Sequence, residues 1–172
     1  MLFPPILHIE AISNSEADRL LLAWEHKMGP CRRPMGTLTS HGMFAHGQLV
    51  AVSVTAALVA ETCAGLSRRE AIELARLCAG RPHLSRPMLR LWREFIFPCF
   101  GRNWAVSYQD EALHTGNTYR LDGWVRLRER ASSGTDLRSN RKGRSKTIWG
   151  WHNDPAMRAS ASIDLNRGSV AA

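Results

Sequence analysis

The sequence predicts a single α/β (α+β) domain, a mixed central sheet with helices packed on it. Three observations carry that reading. Apolar, β-branched runs alternate with segments of helical spacing. Glycine and proline punctuate the boundaries. The 172 residues suffice to bury a core without disulfides or metals.

Taken in order, residues 6–10 (ILHIE) open as a strand. Ser13, with Glu16 three residues on, forms a capping box. Leu20, Leu21, Trp24 and Met28 follow at helical spacing, so a helix is expected over 14–27, stopped by Gly29-Pro30. Residues 29–37 are a loop rich in Pro, Gly and Arg. Residues 41–59 read as a hairpin turning near Gly47-Gln48, and 60–70 as a polar linker. Ala71 to Ala79 is short and ends at Gly80-Arg81-Pro82, which favours a strand over a helix. Ser85 is the expected N-cap of a second helix, with Pro87 in its first turn. Met88, Leu91, Trp92, Phe95 and Ile96 form its apolar stripe, read as a core face. A strand over 103–108, a short helix over 114–122 ended by Gly123, and strands over 124–127 and 147–152 complete the sheet. The domain is expected to span 1–152, with 153–172 a flexible tail.

The formal net charge is +8, carried by 20 Arg and 3 Lys against 15 acidic residues. It is concentrated. Residues 126–146 hold 8 basic and 2 acidic side chains, whereas residues 1–80 hold 7 of each. Such a block reads either as a solvated loop or as a cation cluster facing a polyanion. No stretch reaches the roughly 18 apolar residues of a membrane span. The start, MLFPPILHIE, has no basic region before its apolar run and predicts no secretory signal. Cys31, Cys63, Cys78 and Cys99 show no CxxC pairing, which fits a reduced, cytoplasmic setting.

Two segments could carry chemistry. The first is strand 71–79, the Gly/Pro/Arg break and the helix beyond. Unpaired N–H groups at a helix start, flanked by Arg81 and Arg86, suit a pyrophosphate, though plain structural capping explains the same pattern. The second is Ser107-Tyr108-Gln109-Asp110 at a strand end, followed by His114, Gly116 and Tyr119. Asp110 suits a general base or an amine-orienting group, and Tyr119 a general acid. The competing readings are a turn residue and a half-buried tyrosine with a satisfied hydroxyl. The histidines are scattered and none shows HExxH or i, i+4 spacing.

The element order is similar to the GNAT acyltransferase fold. The run from Glu73-Leu74-Ala75-Arg76-Leu77, through Ser85, to Ser107-Tyr108-x-Asp110, His114-x-Gly116-x-x-Tyr119 and Gly123-Trp124 resembles the bacteriophage Mom-type DNA modification proteins. The resemblance covers about residues 20–127 and is strongest over 73–124. It implies a methylcarbamoyl-type modification of adenine N6 that protects phage DNA from restriction. It also implies acetyl-CoA as donor or ligand, and a bound iron. Carried over by motif, Arg76, Ser85, Asp110 and Tyr119 are the catalytic candidates. Leu77, Cys78, Arg81, Ser85 and Arg86 are the cofactor-binding candidates, and His26 a metal ligand. The loop Cys78-Ala79-Gly80-Arg81-Pro82-His83 departs from the Gln/Arg-x-x-Gly-x-Gly/Ala run of standard GNAT enzymes.

The leading expectation is therefore a GNAT-like transferase acting on adenine in double-stranded DNA, in a phage or prophage setting within a bacterial cytoplasm. Arg126, Arg128, Arg138, Arg141, Lys142, Arg144 and Lys146 are the expected phosphate contacts. The alternatives are an N-acetyltransferase on a small amine or protein, and a DNA-binding protein without chemistry. No membrane partner is expected. Oligomeric state is left open, a homodimer being one option.

Overall fold

In a computed structural model, which describes residues 7–33, 38–131, 135–136, 141–142 and 145–163, seven strands form one mixed sheet. They are β1 (Leu7–Ile12), β2 (Leu38–Ala45), β3 (Gln48–Ala56), β6 (Ala71–Ala79), β7 (Trp104–Asp110), β8 (Val125–Ala131) and β11 (Ser145–His152). Their order across the sheet is β1-β2-β3-β6-β7-β11-β8. Two small hairpins pair β4 (Thr62–Cys63) with β5 (Leu66–Ser67), and β9 (Thr135–Asp136) with β10 (Arg141–Lys142). The helices are α1 (Asn14–Ala23), α2 (Ser85–Leu91), α3 (Asn117–Leu121) and α4 (Pro155–Ala161). β6 and β7 run parallel through Ala71, Ile72 and Glu73, opposite Trp104, Ala105 and Val106. The mixed α/β class is the one expected. The chain divides into two compact units, Met1–Ala57 with Leu74–Gly101, and Leu58–Glu73 with Arg102–Ala172.

In the first unit, β2 and β3 form the expected hairpin. Its turn is His46-Gly47, both at positive φ, as a two-residue loop on twisted strands requires. Ser13 caps α1 by accepting from the Glu16 N–H. The helix ends at Ala23 instead of residue 27, because Glu25 takes a left-handed conformation and the chain turns away before Gly29-Pro30. α1 buries Ala17, Leu20 and Leu21 against Val52, Val54 and Cys78.

The second helical stretch departs from its expected phase. α2 continues into a π-helical turn over Trp92–Ile96 and a 3-10 turn over Phe97–Phe100. A π turn advances the buried face by five residues instead of three or four. Met88 and Trp92 are therefore followed into the core by Phe97, while Phe95, expected inside, is 61% exposed. Trp92 stacks on Phe97 and donates from Nε1 to Thr55 Oγ1 at 2.7 Å.

In the second unit, Leu58, Cys63, Ala71, Trp104, Val106 and Ile148 form one core. The expected linker 60–70 is instead the β4–β5 hairpin, turned at Ala64-Gly65. Arg68 holds it by donating to the carbonyls of Leu58, Val59 and Ala60. The expected tail also contains α4, capped by Asp154 and opened by Pro155, with Ala161 packed on that core.

β8 carries a bulge. Arg128 lies opposite Ile148, yet Arg126 lies opposite Trp149, which leaves Leu127 as the extra residue. Gly150 makes room for it, since a Cβ there would stand 2.5 Å from Leu127 Cδ1.

Candidate functional site

The cofactor candidates lie in the first unit, where β6 gives way to α2. The Gly80 N–H donates to the Val50 carbonyl at 3.0 Å, which holds the turn against β3. A 3-10 turn over Pro82–Leu84 follows and runs directly into α2. Ser85 is thus not the N-cap. Leu84 holds that position in an already helical conformation and makes no side-chain cap bond. An N-cap serine needs extended backbone, and the preceding 3-10 turn removes it. Arg81, His83 and Arg86 are exposed around the turn. Among the described residues neither Arg81 nor Arg86 has an ion-pair partner. Exposed cations beside backbone N–H groups are a suitable donor set for a polyphosphate.

The other candidates of this unit point into the protein. Leu77 packs with Met43, Ala51 and Met88. Cys78 lies buried beside Val52 and Val54, and burial pushes its thiol pKa up. Arg76 is buried too. Its guanidinium donates to the carbonyls of Gly29 at 2.9 Å, Ala75 at 2.7 Å and Pro30 at 3.5 Å, tying down the loop after α1. Arg76→Ala is expected to lower the unfolding free energy by about 1.5–3 kcal/mol, since charged hydrogen bonds into buried carbonyls are lost. Urea denaturation measures it, and a variant as stable as its parent would release Arg76 for a chemical role.

His26 sits in the turn after α1, where its Nδ1 accepts from the Met28 N–H. Among the described residues no group of three or more His, Cys, Asp or Glu side chains gathers to hold a metal. The described residues thus offer no fitting donor set for the iron that the resemblance implies.

The second unit holds the run from Ser107 to Trp124. Side chains alternate along β7, so Ser107 and Gln109 take one face and Tyr108 and Asp110 the other. α3 brings Tyr119 to the Ser107 side, with 2.9 Å between Oη and Ser107 Oγ. The Tyr119 ring stacks on Trp149 at 5.6 Å and 19°, and meets Trp124 edge-on at 5.4 Å. Trp149 Nε1 donates to Gln109 Oε1 at 2.6 Å, and Gln109 Nε2 donates to the His114 carbonyl at 2.5 Å. Gly116 opens α3 at φ +74°, and a Cβ there would fall 2.5 Å from Gln109 Oε1 and 2.7 Å from Trp149 Cζ2. The tyrosine is half-buried, with its hydroxyl on Ser107. Burial raises the Tyr119 pKa and the Ser107 hydrogen bond works against that rise. The phenol is therefore neutral at pH 7, a proton donor and not a base.

Asp110 and Tyr119, both catalytic candidates, are not brought together. Asp110 ends β7 on the opposite face. Its Oδ1 accepts from the Ala112 N–H at 3.1 Å, and its carbonyl accepts from Leu113 and His114. Residues missed in the sequence are Ser107 as the partner of Tyr119, Trp149 as the ring it stacks on, and Gln109 as the acceptor that holds Trp149. Ser107 and Gln109 stand in the motif itself, whereas Trp149 lies in a strand 30 residues further on.

The expected phosphate contacts are divided. The bulge turns Arg126 toward Trp149, 5.9 Å from the ring centroid, where it pairs with Glu129 at 3.2 Å. Arg128 and Lys146 take the other face by register. Arg141 and Lys142 form β10, of which only backbone pairing is described. Arg138 and Arg144 lie outside the described residues.

No protein-family model matches the chain, and no curated protein matches it in sequence. Solved structures do match in fold. A putative acetyltransferase, yncA, from Salmonella typhimurium with its cofactor acetyl-CoA superposes with TM-score 0.61 at 11% identity, over 87% of this chain and 95% of that one. A probable GNAT-family acetyltransferase from Chromobacterium violaceum gives TM-score 0.60 at 12% identity, over 87% and 89%. The spermidine/spermine N-acetyltransferase SpeG from Vibrio cholerae gives TM-score 0.62 at 8% identity, over 90% and 98%. The fold is that of the GNAT acetyltransferases.

Proposed function

We propose that the chain is an acyltransferase that moves an acetyl group from acetyl-CoA to an amine nitrogen. The observation that carries the reading is the fold, shared with a protein solved with acetyl-CoA. The turn after β6 supports it. Arg81 and Arg86 would hold the pyrophosphate at this turn, with the Ser85 hydroxyl nearby. Leu77 and Cys78 would contribute backbone groups only, since both side chains pack into apolar clusters. Bound acetyl-CoA supplies an activated thioester. In the second unit Tyr119 holds a proton on Oη and is the general acid of this reading. Asp110 is kept as an amine-orienting candidate, acting from the other face of β7.

The test is CoA release on mixing the purified protein with acetyl-CoA and a panel of acceptors: spermidine, a lysine peptide and plasmid DNA. Acceptor-dependent release supports the reading, and its absence with every acceptor overturns it. The double variant Arg81→Glu/Arg86→Glu is expected to raise the acetyl-CoA Kd by about 10- to 100-fold, the loss of one or two charge-assisted contacts. Calorimetry measures it, and an unchanged Kd would place the pyrophosphate elsewhere.

A second reading concerns the acceptor, the N6 amine of adenine in double-stranded DNA. It is favoured by the way the run resembling Mom-type proteins folds, with Ser107, Gly116, Tyr119 and Trp124 in one cluster. Arg128 and Lys146, which share one face by register, would be its phosphate contacts. Nucleoside mass spectrometry of co-expressed plasmid decides between the two. A mass gain on deoxyadenosine selects this reading. Unmodified deoxyadenosine together with amine-dependent CoA release selects the first.

A further inference from the structure

The turn after β6 rests on a side chain from α1. A Cβ on Gly80 would stand 3.1 Å from Trp24 Nε1, 3.2 Å from Cε2 and 3.5 Å from Cζ2. The glycine thus answers a close approach, and the N–H side of the indole faces the turn. Trp24 is the C-cap of α1, and its backbone N–H donates to the Leu20 carbonyl at 2.9 Å. Its ring packs on the cluster that holds Leu20, Leu21, Cys31 and Cys78. Both sides of the contact belong to the first unit.

This indole differs from the others. Trp92, Trp104, Trp124, Trp149 and Trp151 are all buried. Four of them donate to a side chain: Trp92 to Thr55, Trp124 to Asp122, Trp149 to Gln109 and Trp151 to Asn153. Trp24 is half-buried, and among the described residues its indole N–H meets no acceptor. An indole N–H held against protein usually finds one. The acceptor that suits this place is an anion. Arg81 follows Gly80, Arg86 lies five residues beyond it, and Lys27 follows Trp24 by three. All three are exposed, and among the described residues none has an ion-pair partner. The acidic neighbour is Glu25, also exposed. The Gly80 N–H is taken by the Val50 carbonyl and cannot serve a ligand.

We propose that Trp24 is an anion-binding residue: its indole N–H donates to a phosphate oxygen of the ligand held at this turn, in place of the Gly80 N–H. The proposal rests on the reading that the turn takes the pyrophosphate of acetyl-CoA. It adds a donor from α1, outside the loop 78–83. No bond is made or broken. The negative charge is met by two guanidinium groups and one neutral donor.

With 5-fluorotryptophan the chain gives six ¹⁹F resonances. Trp24→Phe keeps an aromatic ring on the α1 cluster but lacks the N–H, so it deletes one resonance and assigns it. Should that variant not fold, the H₂O/D₂O shift of the one indole that is not buried assigns it in the parent. CoA and inorganic pyrophosphate are each expected to move the Trp24 resonance. Pantetheine, which lacks the phosphates, is expected to leave it in place. In calorimetry Trp24→Phe is expected to raise the Kd for CoA and for pyrophosphate about tenfold or more, the loss of one hydrogen bond to a charged acceptor. A Trp24 resonance unmoved by bound CoA overturns the proposal and leaves the acetyl-CoA reading standing. So does a shift that pantetheine reproduces, or a Kd unchanged in Trp24→Phe. A shift with pyrophosphate but no binding of CoA upholds the phosphate donor and removes the acetyl-CoA reading instead. No binding of either ligand overturns both.

Discussion

Tyr119→Phe is expected to lower the kcat of acetyl transfer by about 10²- to 10⁴-fold, the range for loss of a general acid. The reasoning starts from the ring. Phenylalanine keeps the stack on Trp149 and the edge contact with Trp124, so the packing of α3 on the sheet survives. The change is confined to one oxygen. Its removal leaves Ser107 Oγ without this partner, at a cost of about 1 kcal/mol of stability. A large kinetic loss should therefore accompany a small thermal shift. Steady-state kinetics beside a melting curve checks both. A kcat within about threefold of the parent would remove Tyr119 from the chemistry. A large drop in melting temperature would mean that the hydroxyl serves the fold.

Trp92→Ala is expected to cost about 3–5 kcal/mol, the range for truncating a buried aromatic side chain. Trp92 is fully buried, stacks on Phe97, and satisfies Thr55 through its indole N–H. Truncation opens a cavity and leaves the buried Thr55 hydroxyl without that donor. Phe95→Ala, three residues on, is expected to cost under about 0.5 kcal/mol, as exposed sites do. The pair tests the π turn directly. In a regular α-helix both rings would share the buried stripe and both changes would be severe. Urea denaturation of the two variants separates the cases, and similar losses would rule out the π register.

Those two aromatics also mark what the sequence left illegible. The apolar stripe after Ser85 was read at α-helical period, and nothing in the pattern announces a turn of five. Elements governed by local chemistry were legible. Ser13 caps α1 as its spacing with Glu16 implies, and His46-Gly47 turns the β2–β3 hairpin. Ser85 looked like a cap because serine favours caps, but the 3-10 turn before it decided the geometry. At the candidate site, alternation along a strand already separates Ser107 from Asp110, three residues apart. The pairing of Ser107 with Tyr119 depends on how α3 folds back on β7. The support from Trp149 depends on β11 returning between β7 and β8, and long-range pairing leaves no local trace. Arg126 and Arg128 stand two residues apart, and regular alternation would put them on one face. The bulge parts them.

That bulge makes Leu127 a parity switch. One residue more than the facing strand needs reverses the sidedness of all that precedes it in β8. Were β8 to run on regularly from Arg128, Leu127 would pair with Trp149 and Arg126 with Gly150, which puts Arg126 on the face of Arg128 and takes a cation from the Trp149 side. The Leu127 side chain would also leave its place above Gly150, the one position of β11 with no side chain to fill the space. The distribution of positive charge between the two surfaces is thus governed by register and not by residue type, and a slip of a single residue would redraw it without altering the number of charges.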